Sequence, residues 1–222
     1  MKELLRGNRG FIIFLLCFGF FRTAIADWNP IPSGSMRPTL LEGDVVLVNR
    51  LAYDFKLPLT DIAIAHLAEP RRGDIVTFSS PKDGTRLIKR VVATPGDRIE
   101  LKDEVLLIND EIAVYDNQSL VREPVGHGME LDALRATERV ADSQHAVQFL
   151  PAVRARRDFG PMVVPAGSYF MLGDNRDDSA DSRYFGFVPR HLLIGRAHRV
   201  LLSADIKGDW SPRFARTGQA LH

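Results

Sequence analysis

The chain has 222 residues, of which 45% are hydrophobic and 26% charged, so it makes one large domain or two small ones and is no disordered polar chain. Lys and Arg total 29 against 28 Asp and Glu, a formal net charge of +1, and no basic excess points to a nucleic-acid partner. The single cysteine excludes an internal disulfide framework and a Cys-based zinc site, while 17 Gly and 13 Pro favour turns and short strands over long helices.

Residues 11–21, FIIFLLCFGFF, carry no charge. Lys2, Arg6 and Arg9 precede them, and Arg22, the triplet Ala24-Ile25-Ala26, Asp27 and Trp28 follow. Two readings are open. One is a transmembrane anchor over 10–26, about 25 Å long at 1.5 Å per residue, with residues 1–9 cytoplasmic, Arg22 snorkelling and Trp28 in the headgroup belt. The other is a cleavable signal peptide ending at the small-x-small triplet. Either one exports the rest of the chain, which has no thiol because Cys17 lies inside the apolar run.

From Asp27 onward, short β-like runs are broken by Gly-Asp and Pro. Val45–Val48, Ile75–Phe78 and Leu87–Val92 come first; Val105–Ile108 and Ile112–Tyr115 flank the turn residues Asn109-Asp110-Glu111 as a tight hairpin. Met162–Val164, Tyr169–Leu172 and Arg199–Leu202 read as further strands, giving a mainly β body of antiparallel sheets. Residues 116–160 are polar and weakly patterned, with one possible helix near Leu131–Val140, and read as an insertion. The tail after Ser203 reads as loosely ordered.

None of the six histidines stands in a metal-ligand spacing or beside a Gly-x-Ser-x-Gly elbow, so no metal or cofactor is expected. Ser79-Ser80-Pro81-Lys82 has Ser-x-x-Lys spacing but sits in a turn sequence. Pro32-Ser33-Gly34-Ser35-Met36-Arg37-Pro38 is more specific: prolines stiffen an extended loop, Gly34 admits a foreign backbone, and two hydroxyls stand two residues apart. One hydroxyl can attack while the other donates a hydrogen bond. A serine nucleophile needs a base, and a buried lysine kept neutral by desolvation can serve. Lys89 suits this role: it lies in an apolar strand, shares a face with Leu87 and Val91, and sends Arg90 to the other face. The polar run 173–183, GDNRDDSADSR, lacks the spacing of a calcium loop and suits bracing of a site from beneath.

Taken together, PSGSMRPTLLEGDVVLV, RGDIVTF, IKRVVATPGD and GDNRDDSADSRYFGFVP resemble, in order, the segments of the bacterial type I signal peptidase family (leader peptidases, peptidase family S26). The resemblance implies that Ser35 is the nucleophile and Lys89 the general base. It implies that Ser33 completes an oxyanion hole with the Ser35 N–H, that Ser179 orients the lysine, and that Asp174, Asp181 and Arg183 support the site structurally. Ile31, Met36, Leu40 and Ile88 are candidates for the walls of shallow substrate pockets.

The implied architecture is two antiparallel β-sheet domains behind one N-terminal transmembrane helix. A catalytic β core would span 27–102 and 162–203, an inserted β subdomain 103–161, and a tail 204–222. The implied activity is a Ser/Lys endopeptidase of the inner membrane, single-pass, with its catalytic part on the periplasmic side. It would remove signal peptides from preproteins after Ala-x-Ala, with the lipid bilayer as its other partner. Alternatives are a dedicated relative that processes a pilin or conjugation precursor, and a non-catalytic membrane-tethered β module.

Overall fold

A computed structural model describes residues 8–60, 62–126 and 129–221. The chain begins as helix α1 (Arg9–Phe20), continues through a π-helical turn (Phe21–Ile25) and enters strand β1 (Ala26–Pro30). Next come β2 (Asp44–Asn49), β3 (Asp54–Lys56), β4 (Ala63–His66), β5 (Ile75–Ser79) and β6 (Arg86–Ala93). The middle of the chain holds β7 (Arg98–Lys102), β8 (Val105–Ile108), β9 (Glu111–Ile112), β10 (Val114–Gly126), β11 (Met129–Val140), β12 (Ser143–Phe149) and β13 (Phe159–Val163). The end holds β14 (Ser168–Leu172), the short helix α2 (Ser182–Phe185), β15 (Val188–Pro189) and β16 (Leu193–Ser203).

Among the described residues the strands form antiparallel sheets. The largest has seven strands in the order β1-β2-β16-β5-β6-β14-β15. A four-stranded sheet runs β13-β7-β8-β9, a three-stranded one β10-β11-β12, and β3 pairs with β4. The turn chemistry fixes the tight hairpins. Asn109 and Asp110 have φ of 52° and 68°, the pair of positive values that a two-residue primed turn needs, and Asp103 and Glu104 repeat it with 48° and 69°. Strands β7 and β13 pair with each other rather than with the seven-stranded sheet, so all strands between Arg98 and Val163 lie in the two middle sheets.

Apolar residues that alternate along these strands build the core. One cluster, with Val92, Ile99, Leu106, Phe170 and Leu172, joins the largest sheet to the four-stranded one. A second, with Ile31, Met36, Leu40, Val46, Ile75 and Val200, lies under the loop between β1 and β2. A third gathers Val76, Phe78, Val91, Tyr169 and Met171.

Two expectations change. The segment expected as a helix near Leu131–Val140 is strand β11, paired with β10 and β12. Its helix-forming Leu, Ala, Arg and Glu are overridden by pairing on both edges, with Ala136, Glu138 and Val140 buried at period two. The C-terminal segment is docked rather than loose. Arg216 donates to both Asp44 carboxylate oxygens and to the Thr39 carbonyl, Val200 donates to the Gln219 carbonyl, and Leu221 enters the second cluster. The expected anchor is a separate matter: among the described residues no helix is long and apolar enough to cross a membrane, α1 having 12 residues before the π-helical turn, Ala24 being buried and Ala26 pairing with Asn49.

The start of β2 rests on one glycine. Gly43 has φ +89°, and a Cβ there would lie 2.0 Å from the Ala204 carbonyl oxygen. Gly43→Ala is therefore expected to lose about 2 kcal/mol or more of stability in urea unfolding at unchanged m-value; an unchanged midpoint would contradict this packing.

Candidate active site

The loop between β1 and β2 presents two serines. Its base is fixed by Met36 and Leu40, both fully buried, and by a 3-10 turn over Gly34–Met36 closed by Arg37 N–H to the Gly34 carbonyl at 3.0 Å. Asn175 locks the loop from the side. Its backbone N–H donates to the Ser35 carbonyl at 3.2 Å and its side-chain amide to the Gly34 carbonyl at 3.1 Å. Ser33 is exposed and Ser35 half-buried, with their hydroxyl oxygens 3.4 Å apart.

Lys89 lies in β6, flanked by β5 and β14. Its neighbours alternate as a pleated strand requires: Leu87 and Val91 join the third core cluster, while Ile88 packs against the second. The Lys89 Nζ contacts Ser35 Oγ at 2.6 Å and donates to the Ile88 carbonyl at 3.0 Å. The side chain is 3% exposed. Burial pushes the amine down to about 8 from its usual 10.5, against the opposing pull of Asp181, Asp174 and Asp178. Asp174 and Asp181 do not reverse the shift because their charges are held by Arg90 and Arg183.

Asp174 is the best example. Burial alone would raise its carboxyl, but the Arg90 guanidinium, bonded in a fork at 2.8 Å to each oxygen, holds it below the usual carboxylate range. Thr39 donates to the same carboxylate, which ties the serine loop to the 173–183 segment. Asp181 accepts from Arg183 at 2.8 Å on both oxygens and from the Gly173 N–H at 3.1 Å, and it caps α2. Ser179 Oγ is buried here and has no hydrogen-bond partner among the described residues, so no bond to Lys89 is formed. Gly173 is required by close approach. A Cβ on it would lie 2.3 Å from Ser179 Oγ and 2.4 Å from the Ser35 carbonyl oxygen.

Sequence reading placed Ser33, Ser35, Lys89, Asp174, Asp181 and Arg183 as site residues, and all of them sit in this assembly. The proposed pocket walls differ in character. Ile31, Met36 and Leu40 are packed into the core, with only Ile88 partly exposed. Other residues escaped the sequence reading. Arg90 was placed on the opposite face from Lys89, without its partner Asp174. Thr39 and Asn175 are ordinary loop residues until the two loops meet. Arg37 forms ion pairs with Glu42 and with Glu123 of β10, and Arg135 holds Glu123 from the other side. Behind Asp174, Arg176 and Glu138 form a fully buried pair. Beside them burial, with the nearby Arg90, lowers His145 to about 4, so this histidine is neutral at neutral pH. None of these couplings has a local sequence signature, since each joins elements far apart in the chain.

Among the described residues no group of His, Cys, Asp and Glu is arranged to hold a metal ion. The comparisons with known proteins are specific. Residues 4–202 match the family model described as signal peptidase, peptidase S26. Signal peptidase I of Pseudomonas aeruginosa is 34% identical over 97% of this chain and 78% of its own length. That of Pseudomonas fluorescens is 36% identical over the same shares, 97% and 78%. A crystal structure of a signal peptidase I from Enterococcus faecalis V583 is 30% identical, covering 59% of this chain and 97% of that one, with a TM-score of 0.35. The chain belongs to the S26 family of signal peptidases, and it is an enzyme of that family.

Proposed function

We propose that the chain removes signal peptides from exported preproteins as a membrane-tethered Ser/Lys endopeptidase, with Ser35 as nucleophile and Lys89 as general base. The observation that carries this reading is the 2.6 Å contact between Lys89 Nζ and Ser35 Oγ inside a buried site. An amine lowered to about 8 is partly neutral near neutral pH and accepts the Ser35 proton as Oγ attacks the peptide carbonyl. The resulting ammonium then protonates the leaving amine, and the neutral lysine activates water against the acyl-enzyme. The Ser33 hydroxyl, with the Ser35 N–H, stabilises the oxyanion. Lys89 donates to the Ile88 carbonyl in this state, and Ser179, whose buried hydroxyl has no partner among the described residues, is assigned a share in orienting it. Asp174, Asp181 and Arg183 hold the loops in register.

Small residues before the cut, as in Ala-x-Ala, suit a serine loop whose underside is filled by Ile31, Met36 and Leu40, with Ile88 as the partly open wall. An enzyme family sets aside the non-catalytic module, and a panel of preproteins separates a general from a dedicated peptidase. For the tether, α1 has no buried side chain, and Phe11 and Leu16 are 61% and 68% exposed. The helical path from Arg9 to Ile25 rises about 25 Å, so a single pass needs local thinning of a core about 30 Å thick, with arginines snorkelling at both ends. Residues 1–9 would then face the cytoplasm, and the sheets the periplasm.

Ser35→Ala and Lys89→Arg are each expected to lose at least about 10³-fold in preprotein cleavage, Arg because it does not deprotonate at usable pH. Ser33→Ala is expected to lose about 10²–10³-fold in kcat. Full activity in Ser35→Ala or Lys89→Arg defeats the assignment. The wild-type kcat/KM is expected to rise with pH through about 8 and to fall near tenfold per unit well below it. Lys89→Met is expected to be inactive yet more stable at pH 7, by about 3 kcal/mol. The sign follows from linkage. The folded pKa is below the unfolded one, so the cost of burying the ammonium is full below the folded value and disappears as pH rises to the unfolded 10.5. Equal stability of the two proteins at pH 7 would contradict the buried amine.

A further inference from the structure

The end of α1 does not merely run into the sheet. Arg22 bonds Asp27 through Nε at 3.3 Å and lies over the Trp28 ring at 4.3 Å, and Phe18 packs on the same ring. Arg86, reaching across from β6, donates through Nη1 to Asp27 at 3.0 Å and to Asn29 at 2.9 Å. Between these groups and the loop joining β3 to β4 lies a cleft of about 400 Å³, lined by Arg22, Arg50 and Arg86, by Asp27, and by Leu59 and Thr60 of that loop.

Among the described residues, two guanidinium side chains, Arg22 and Arg86, share the one carboxylate of Asp27 in this cleft. Among the described residues Arg22 donates hydrogen bonds only through Nε and Arg86 only through Nη1, and their side chains are 46% and 49% exposed. Asp27 therefore orients two forks and leaves most of their donors facing out. The other wall is apolar. Leu59 is 84% exposed, and Leu57, Ile62 and Ile64 of the same hairpin are exposed as well. Positive donors beside exposed leucine and isoleucine, at the foot of an apolar helix with no buried side chain, match one kind of molecule: a phosphate ester carrying acyl chains.

We propose that this cleft binds an anionic glycerophospholipid of the surrounding leaflet. Its phosphate lies against Arg22 and Arg86, with Arg50 behind, and its acyl chains lie along α1 and the β3–β4 hairpin. The proposal rests on the reading of α1 as a membrane anchor. Such a lipid would fix the tilt of the sheet at the membrane surface, and with it the height of Ser35 above the bilayer.

The test uses the full chain purified in detergent and native mass spectrometry. Dioleoyl phosphatidylglycerol, dioleoylglycerol (tails without phosphate) and glycerol 1-phosphate (phosphate without tails) are added in turn. The wild type is expected to retain phosphatidylglycerol, and Arg22→Gln/Arg86→Gln to bind it about tenfold more weakly, the loss of one to two charge-assisted hydrogen bonds. Arg22→Lys/Arg86→Lys is expected to retain it well. Equal retention by wild type and the glutamine variant, or equal retention of dioleoylglycerol and phosphatidylglycerol by the wild type, overturns the site. Competition by glycerol 1-phosphate in the same concentration range assigns the cleft to a soluble phosphate ester and overturns the lipid. Cleavage of a short soluble peptide, unchanged in both variants, reports that they fold; should the glutamine pair lose it, the single Arg22→Gln, which gives up its bond to Asp27 and its contact with the Trp28 ring but keeps the Arg86 bonds, carries the comparison. Flotation with phosphatidylglycerol vesicles separates the two readings: a wild type that does not float sinks the anchor and the site together, whereas one that floats but shows equal retention sinks the site alone.

Discussion

A single amine, 3% exposed and 2.6 Å from a serine hydroxyl, sets the terms for the rest of the molecule. Desolvation disfavours its charged form, and three carboxylates in its surroundings favour it. Which side wins depends on where the countercharges of those carboxylates are spent. Arg90 takes both oxygens of Asp174, and Arg183 takes both of Asp181. Each fork is a strong local pair that lessens the field left over at Lys89. The acidic 173–181 segment can therefore lie beside the lysine without restoring it to an ordinary surface ammonium.

The same pairs solve a positional problem. The serine loop and the 173–183 segment are more than a hundred residues apart in the chain, yet Gly34, Ser35 and Thr39 are all bonded to Asn175 or Asp174. From outside, β12 fastens the second segment through Gln148 and the Leu150 N–H bond to Asp177, while Glu123 of β10 fastens the first through Arg37. The three-stranded sheet thus acts as a brace on both loops. The C-terminal segment adds another through Arg216, whose bonds to Asp44 and the Thr39 carbonyl hold the far end of the serine loop.

Much of this was legible from the chain alone because its signals are local. Short apolar runs bounded by turn residues gave β5, β6, β8 and β14, and the Asn109-Asp110 pair gave a hairpin. The loop with Ser33 and Ser35 was marked by its prolines and glycine. What stayed hidden depends on contacts between distant segments. Strand β11 reads as a helix because its composition favours one and only its partners on both sides decide otherwise. The tail reads as loose because its anchors are arginines, which look like surface residues until Asp44 appears beneath Arg216. The burial of Met36 and Leu40 under the loop likewise depends on strands that arrive later in the chain.

The most direct measurement is the titration of the Lys89 side chain itself, by NMR of the full chain carrying isotope-labelled lysine and assigned with Lys89→Met. A midpoint near 8, returning toward ordinary values when the site is opened by unfolding, is the expected result. A Lys89 that titrates like the exposed lysines of the same sample, near 10.5, would mean that the amine is charged throughout the working range, and the proposed base would be gone.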